Sequence, residues 1–361
     1  MTAGGLMHTT TKQRVEWIDA AKALSILMVT MLHVGQLALA ADINVWRVYE
    51  LNAFLAPIRM PLFFAASGVF AGSALRKSWS DLLRHKVALY LWLFVIWTIV
   101  RWLFSAFLIR NPDNPTEGTE LSEIGWAILM PTTGLWFLWC LALFFVLAKV
   151  LQPFDKRVVA GVAVVVSIVS LYFANGPAGE DGGVLANLAH RNALSYFVFF
   201  YAAAMFPKSI TGLGSLPIRY SIVAALLAFC SCFGMSVFAA GLIATVFRFG
   251  ASIFGVALLF IIARVLDSFD RPSKLLRYLG LNTLPIYVAQ VPLIALYVAI
   301  VAELGAGRLG SLANALVPLG VLIVVPVSLQ VRRILIVARA GFMYRLPWAN
   351  RATVTGFSKS A

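Results

Sequence analysis

Long apolar runs alternate with short polar segments along the whole chain. The runs fall near 20–41, 54–75, 87–109, 135–152, 157–174, 193–206, 218–240, 243–265, 281–302 and 312–331. A helix needs about 17–25 apolar residues to cross roughly 30 Å of hydrocarbon, so the pattern predicts an all-α polytopic membrane protein of about ten spans. The longest polar stretches, at about 25 residues, are too short for a soluble core. The expected organisation is a cytoplasmic N-terminal segment (1–16), one transmembrane domain (17–331) and a basic cytoplasmic tail (332–361). The segment before the first span has no apolar core of its own, so that span is expected to act as the insertion signal. The stretch "IRNPDNPTEGTELSEIGW" opens with Asn-Pro turns, becomes amphipathic, and is expected to fold back over the mouth of the bundle.

Composition agrees: 61% of residues are hydrophobic and 12% charged, with a mean hydropathy of +0.88. The net charge of +14 raises the question of a nucleic-acid partner. Its distribution answers otherwise. Of the 29 basic residues, 21 fall in the termini and alternate loops, among them Lys12, Arg14 and the Arg76 to Lys86 cluster, while the opposite loops hold Arg47, Arg110, Arg191 and Arg308. This bias puts both termini in the cytoplasm of a cell inner (plasma) membrane protein, with no role for nucleic acid. The outer loops are acidic, with Asp113, Glu117, Glu120, Glu123, Glu180 and Asp181. Cys140, Cys230 and Cys232 lie in apolar spans without metal-ligand spacing, so neither a metal site nor a disulfide framework is expected.

Ionisable residues inside spans are costly and mark candidate chemistry. Lys22 and His33 are eleven residues apart, which on a helix is within roughly 20° of three turns and about 16 Å of rise. They share one stripe with Asp19, which can pair with Lys22. A histidine placed so can form an interhelical hydrogen bond or serve as a general base, which requires neutral imidazole. In "PIRMPLFFAASGVFAG", Arg59 and Pro61 interrupt the outer half of the second run and Ser67-Gly68 lie near its middle. Gly68 is open to a packing role, and Arg59 to snorkelling toward headgroups.

Taken in order, "RVEWIDAAKALSILMVTMLH", "RMPLFFAASGVF", "LRHKVALYLWLFVIW", "GLWFLWCLALFFV" and "LGLNTLPIYVAQVPL" resemble the landmarks of the membrane acyltransferase 3 family. The nearest subgroup is the fucose 4-O-acetylase-like, exopolysaccharide-modifying one. The resemblance implies about ten helices and transfer of an acyl group from cytoplasmic acyl-CoA, a co-substrate with no permanently bound cofactor, to a hydroxyl of a carbohydrate in a surface or exported glycan. It places the family's basic-x10-histidine motif on Lys22 and His33, with His33 catalytic. Its Ser-Gly landmark falls on Ser67-Gly68 and its Trp-Phe-Leu landmark on Trp136, Phe137 and Leu138. Two departures stand out: "VALYLWLF" lacks the usual proline, and Gln290 occupies the place of a histidine in many relatives.

On this reading Asp19, Lys22, Ser67, Arg84 and Lys86 would bind CoA, although cytoplasmic topology alone also accounts for the basic loop. His33 would take the acceptor proton, with Arg59 or a nearby donor stabilising the oxyanion. Trp136, Arg101, Arg248, Gln290 and Glu303 are the candidate substrate contacts. Arg59, Arg101 and Arg248 fall in outer halves of spans where Glu303 is the obvious acid, so positive charge there looks incompletely paired. A dicarboxylic acyl chain such as succinyl would supply a partner, but acetyl is favoured. The competing class is a transporter or flippase, with His33, Arg59, Arg101 and Arg248 along a path. A structural subunit would leave Lys22 and His33 without a reason.

Overall fold

A computed structural model describes residues 16–112, 114, 116–131, 133–174 and 187–348. Lys12, Arg14, Asp113, Glu180, Asp181 and the end of the tail, including Arg351 and Lys359, lie outside the described residues. Those described are helical and contain no strand. The spans are α1 (Glu16–Ala40), α2 (Trp46–Leu75) and α3 (Trp79–Phe107), followed by the loop helix α4 (Ser122–Leu129). Then come α5 (Trp136–Val150), α6 (Lys156–Ala174), α7 (Leu188–Met205), α8 (Ile218–Phe238), α9 (Gly241–Asp267), the amphipathic α10 (Asp270–Leu281), α11 (Thr283–Glu303) and α12 (Leu316–Val337).

Each predicted run is a helix, but eight, rather than ten, are long and apolar enough to cross a membrane. The other two are α5, with 15 residues, and α7, whose first turn carries His190, Arg191 and Asn192. Both are held against protein, which relieves the length and polarity limits lipid imposes. Pro57 and Pro61 in α2, Pro292 in α11 and Pro326 in α12 are carried within continuous helices. At the start of α3, Ser78 caps the helix by accepting from the Asp81 amide, and Leu83–Val87 form one π-helical turn.

Helix α1 is the axis of the bundle, packed by α2, α9, α10, α11 and α12. Small residues let it be enclosed so closely. The backbone of Asp19 lies where a side chain at Gly280 of α10 would stand, and Gly320 of α12 leaves room for Val34 and Tyr297. An aromatic block joins α2, α5 and α7: Phe63 stacks on Phe137 at 4.4 Å between centroids, and Phe64 packs on Phe137, Phe144 and Tyr196. At the end of the bundle where α1 begins, Arg277 pairs with Asp267 and Glu16, tying α10 to α9 and α1. Lys149 donates to the carbonyls of Leu75 and Lys77, where a cation meets the negative end of α2. Helix α12 runs six residues past the expected boundary at 331. The segment after it folds back along α3, where Trp92 and Trp97 donate to the carbonyls of Phe342 and Met343.

Candidate active site

His33 lies in the half of α1 away from Glu16 and faces a cavity of about 360 Å³. The walls come from the corresponding ends of α2, α6, α7 and α9 and from the start of α5, and include Arg59, Trp136, Arg191, Tyr196 and Arg248. Gln36, one turn along α1, hydrogen-bonds His33, and the guanidiniums of Arg101 and Arg59 are near enough to act on its ring electrostatically. Arg59 is buried; its Nη1 donates to Asn52 Oδ1 at 3.0 Å, and its own carbonyl accepts from Ser25 on α1 at 2.7 Å. Pro61 has no amide to donate to the Pro57 carbonyl, so one helical hydrogen bond is missing across the turn that carries Arg59. Trp136 stacks on Tyr196 at 6.1 Å.

The start of α5 dips into the bundle, so that Gly134 lies at the cavity wall. A β-carbon there would stand 3.1 Å from Arg101 Nη1 and 3.8 Å from His33 Cε1. The bare glycine keeps open the corner between the histidine and the arginine. Tyr287 of α11 fixes this turn by donating to the Gly134 carbonyl and accepting from the Phe137 amide. Arg101 is itself held by a bidentate pair to Glu117, 3.1 and 3.0 Å, and Glu117 also accepts from Asn111. The remaining nitrogen of Arg101, Nη1, is buried without a partner among the described residues. The expectation that Glu303 is the acid at the depth of the arginines is therefore corrected. Glu303 is exposed at the end of α11, and Glu117, read as an exposed loop residue, folds inward to pair with Arg101.

The remaining candidates lie elsewhere. Lys22 pairs with Asp19 at 2.7 Å and stands over the Phe70 ring at 4.7 Å, toward the N-terminal end of α1. Arg84 and Lys86 are exposed on the π-turn of α3 at that same end. Ser67 donates to the Phe63 carbonyl of its own helix, while Gly68 is occupied by packing: a β-carbon would sit 2.3 Å from the Phe200 carbonyl oxygen. Gln290 is fully buried and accepts from Thr30, linking α11 to α1, with its amide nitrogen unpartnered among the described residues. None of these seven, nor Glu303, lines the His33 cavity, whereas Arg59, Trp136 and Arg248 do. The sequence reading missed Arg191, Tyr196, Gly134 and Glu117. The polar first turn of α7 reads as loop, and a tyrosine in an apolar run carries no signal.

Among the described residues, eight helices long and apolar enough to cross a membrane, gathered around a chamber lined by a histidine and arginines, define the class as a multi-pass membrane protein with a polar chamber. The sequence profile of the acyltransferase 3 family, an acyltransferase domain, matches residues 15–333, and the chain belongs to that family. It is 24% identical over 323 residues to the inner membrane protein YcfT of Escherichia coli (strain K12), covering 82% of this chain and 85% of that protein. No solved structure matches it significantly.

Proposed function

We propose that this membrane acyltransferase moves an acyl group, acetyl in preference to succinyl, from cytoplasmic acyl-CoA to a sugar hydroxyl of a surface or exported glycan. Its place would be the inner (plasma) membrane. The observation that carries the reading is His33 facing a polar cavity at the end of the bundle opposite the basic loops. Lys22, Arg84 and Lys86 would meet the phosphates of CoA at the inner end, with Asp19 steadying Lys22. The pantetheine arm then has roughly 16 Å to travel along α1 to reach His33.

In the reaction His33 takes the proton of the acceptor hydroxyl as its oxygen bonds to the thioester carbonyl carbon. The negative charge that develops on the carbonyl oxygen is met by a guanidinium, from Arg59 in the wall or from Arg101 Nη1 behind Gly134. Collapse breaks the carbon–sulfur bond, the imidazolium returns its proton to the thiolate, and free CoA leaves. Trp136 offers the acceptor ring an apolar face. The test is mass spectrometry of surface glycans from cells with and without the gene, paired with CoA release by purified protein given acetyl-CoA. Loss of an acetyl mass together with the gene is the expected result. Unchanged glycans, and CoA release no faster than from His33→Ala protein, would overturn the reading and favour transport.

A further inference from the structure

The His33 cavity is lined by three guanidiniums, those of Arg59, Arg191 and Arg248, on three different helices, and, among the described residues, by no carboxylate. Arg59 has the neutral Asn52 as its partner. Among the described residues, no carboxylate pairs with Arg191 or Arg248. Both are near enough to Tyr196, deep in the wall, to act on its phenol. Arg101 differs: it has its own acid, Glu117, on the far side of Gly134. Gathering like charges around one partly enclosed space is unfavourable unless a countercharge enters it. Two planar guanidinium forks suit a carboxylate, which they can grip through paired hydrogen bonds.

The rest of the lining describes the body that carries the charge. Trp136 presents an aromatic face, and Asn192, Ser195 and Ser252 bring short polar side chains to the same chamber. Its volume of about 360 Å³ is within the ordinary range of small-molecule pockets. We propose that this cavity recognises a carboxylate on the substrate through Arg191 and Arg248. A sugar acid as acceptor best fits the aromatic and hydroxyl lining. A dicarboxylic acyl chain is the other source of the same group. The proposal rests on the acyltransferase reading for its placement of His33, but recognition of the anion is measured without the reaction.

The full chain, purified into nanodiscs, is heated with sodium glucuronate, glucose or sodium succinate at matched ionic strength, and the unfolding midpoint is recorded. Glucuronate is expected to raise the midpoint by about 2 °C or more, glucose to leave it unchanged, and His33→Ala to retain the rise. In Arg191→Gln/Arg248→Gln protein the rise disappears. Should that double variant fail to fold, the single Arg248→Gln change, at an exposed position, must at least halve the response. A response to glucuronate but not succinate assigns the carboxylate to the acceptor, and the reverse assigns it to the acyl chain. Responses to glucuronate and succinate that are both no larger than the response to glucose, or a rise undiminished in the arginine variants, overturn the proposal. Acetyl transfer to neutral sugars by a protein indifferent to both carboxylates would sink this inference and leave the acyltransferase reading intact.

Discussion

At the scale of single residues, two glycines separate chemistry from packing. Gly134 borders the corner between His33 Cε1 and Arg101 Nη1, so Gly134→Ala adds a methyl group where a carbonyl met by Arg101 would sit. Acyl transfer is expected to fall by roughly 10²-fold, the order lost when reacting groups are displaced by about 1 Å, with little change in unfolding midpoint. Gly68→Ala has the opposite signature. Its β-carbon meets the Phe200 carbonyl of α7 at 2.3 Å, so α2 and α7 must part, at a cost of about 1–3 kcal/mol seen as a lower midpoint. His33→Ala removes the proton acceptor and should reduce transfer about 10²- to 10⁴-fold in protein that still folds, because its ring faces a cavity instead of filling the core. Normal transfer by that variant, measured as CoA release, would return His33 to a packing role. Lys22 and His33 could be picked out from spacing alone because ionisable groups in an apolar helix are rare. Gly134 could not, since its meaning lies in what stands across from it.

At the scale of elements, the loop between α3 and α5 works as a wall. Gly118, at a φ of +96°, lets it lie against the end of α3, within 2.6 Å of the Ala106 amide by the place its β-carbon would take, and this directs Glu117 inward to Arg101. Glu117→Gln leaves a buried guanidinium without its countercharge and should cost about 3–5 kcal/mol, read as a lower unfolding midpoint. The sequence indicated a loop that folds back. It did not indicate the pair, because Arg101 and Glu117 are 16 positions apart with turns between, and no helical period links them. Further along, desolvation acts to raise the pKa of Glu123, but hydrogen bonds from the Gly118 amide, Thr119, the Glu120 backbone and Trp102 outweigh it and hold the carboxyl below its ordinary value. A carboxyl depressed in the folded state stabilises the fold above the unfolded pKa, near 4.3, and that contribution is lost as pH falls through the folded value. Amide exchange of residues 118–124, corrected for its intrinsic pH dependence, should thus show constant protection above pH ~5 and weaker protection in stronger acid. Glu123→Gln should remove that pH dependence; an unchanged profile would separate the loop from the carboxyl.

At the scale of the whole molecule, the two halves of the proposed reaction would occupy opposite ends of one bundle. Apolar length made the helices legible, while the basic residues give the direction expected of them in a bilayer. The short α5 was readable as a span but not as a helix beginning inside the bundle, because its depth is set by Tyr287 holding Gly134. Lys22, Arg84 and Lys86 mark one end, and Arg191, Arg248 and the acidic loop mark the other, so the orientation decides whether donor and acceptor would meet the correct sides. Glu117 is buried against Arg101 and is a poor reporter, whereas Glu120 and Arg84 are exposed. In a background carrying Cys230→Ser, which removes the exposed native thiol, Glu120→Cys should react with an impermeant maleimide in intact spheroplasts. Arg84→Cys should react only after the membrane is opened. The reverse pattern would put the basic loop on the outer face, away from cytoplasmic CoA, and the proposed direction of acyl transfer would fail with it.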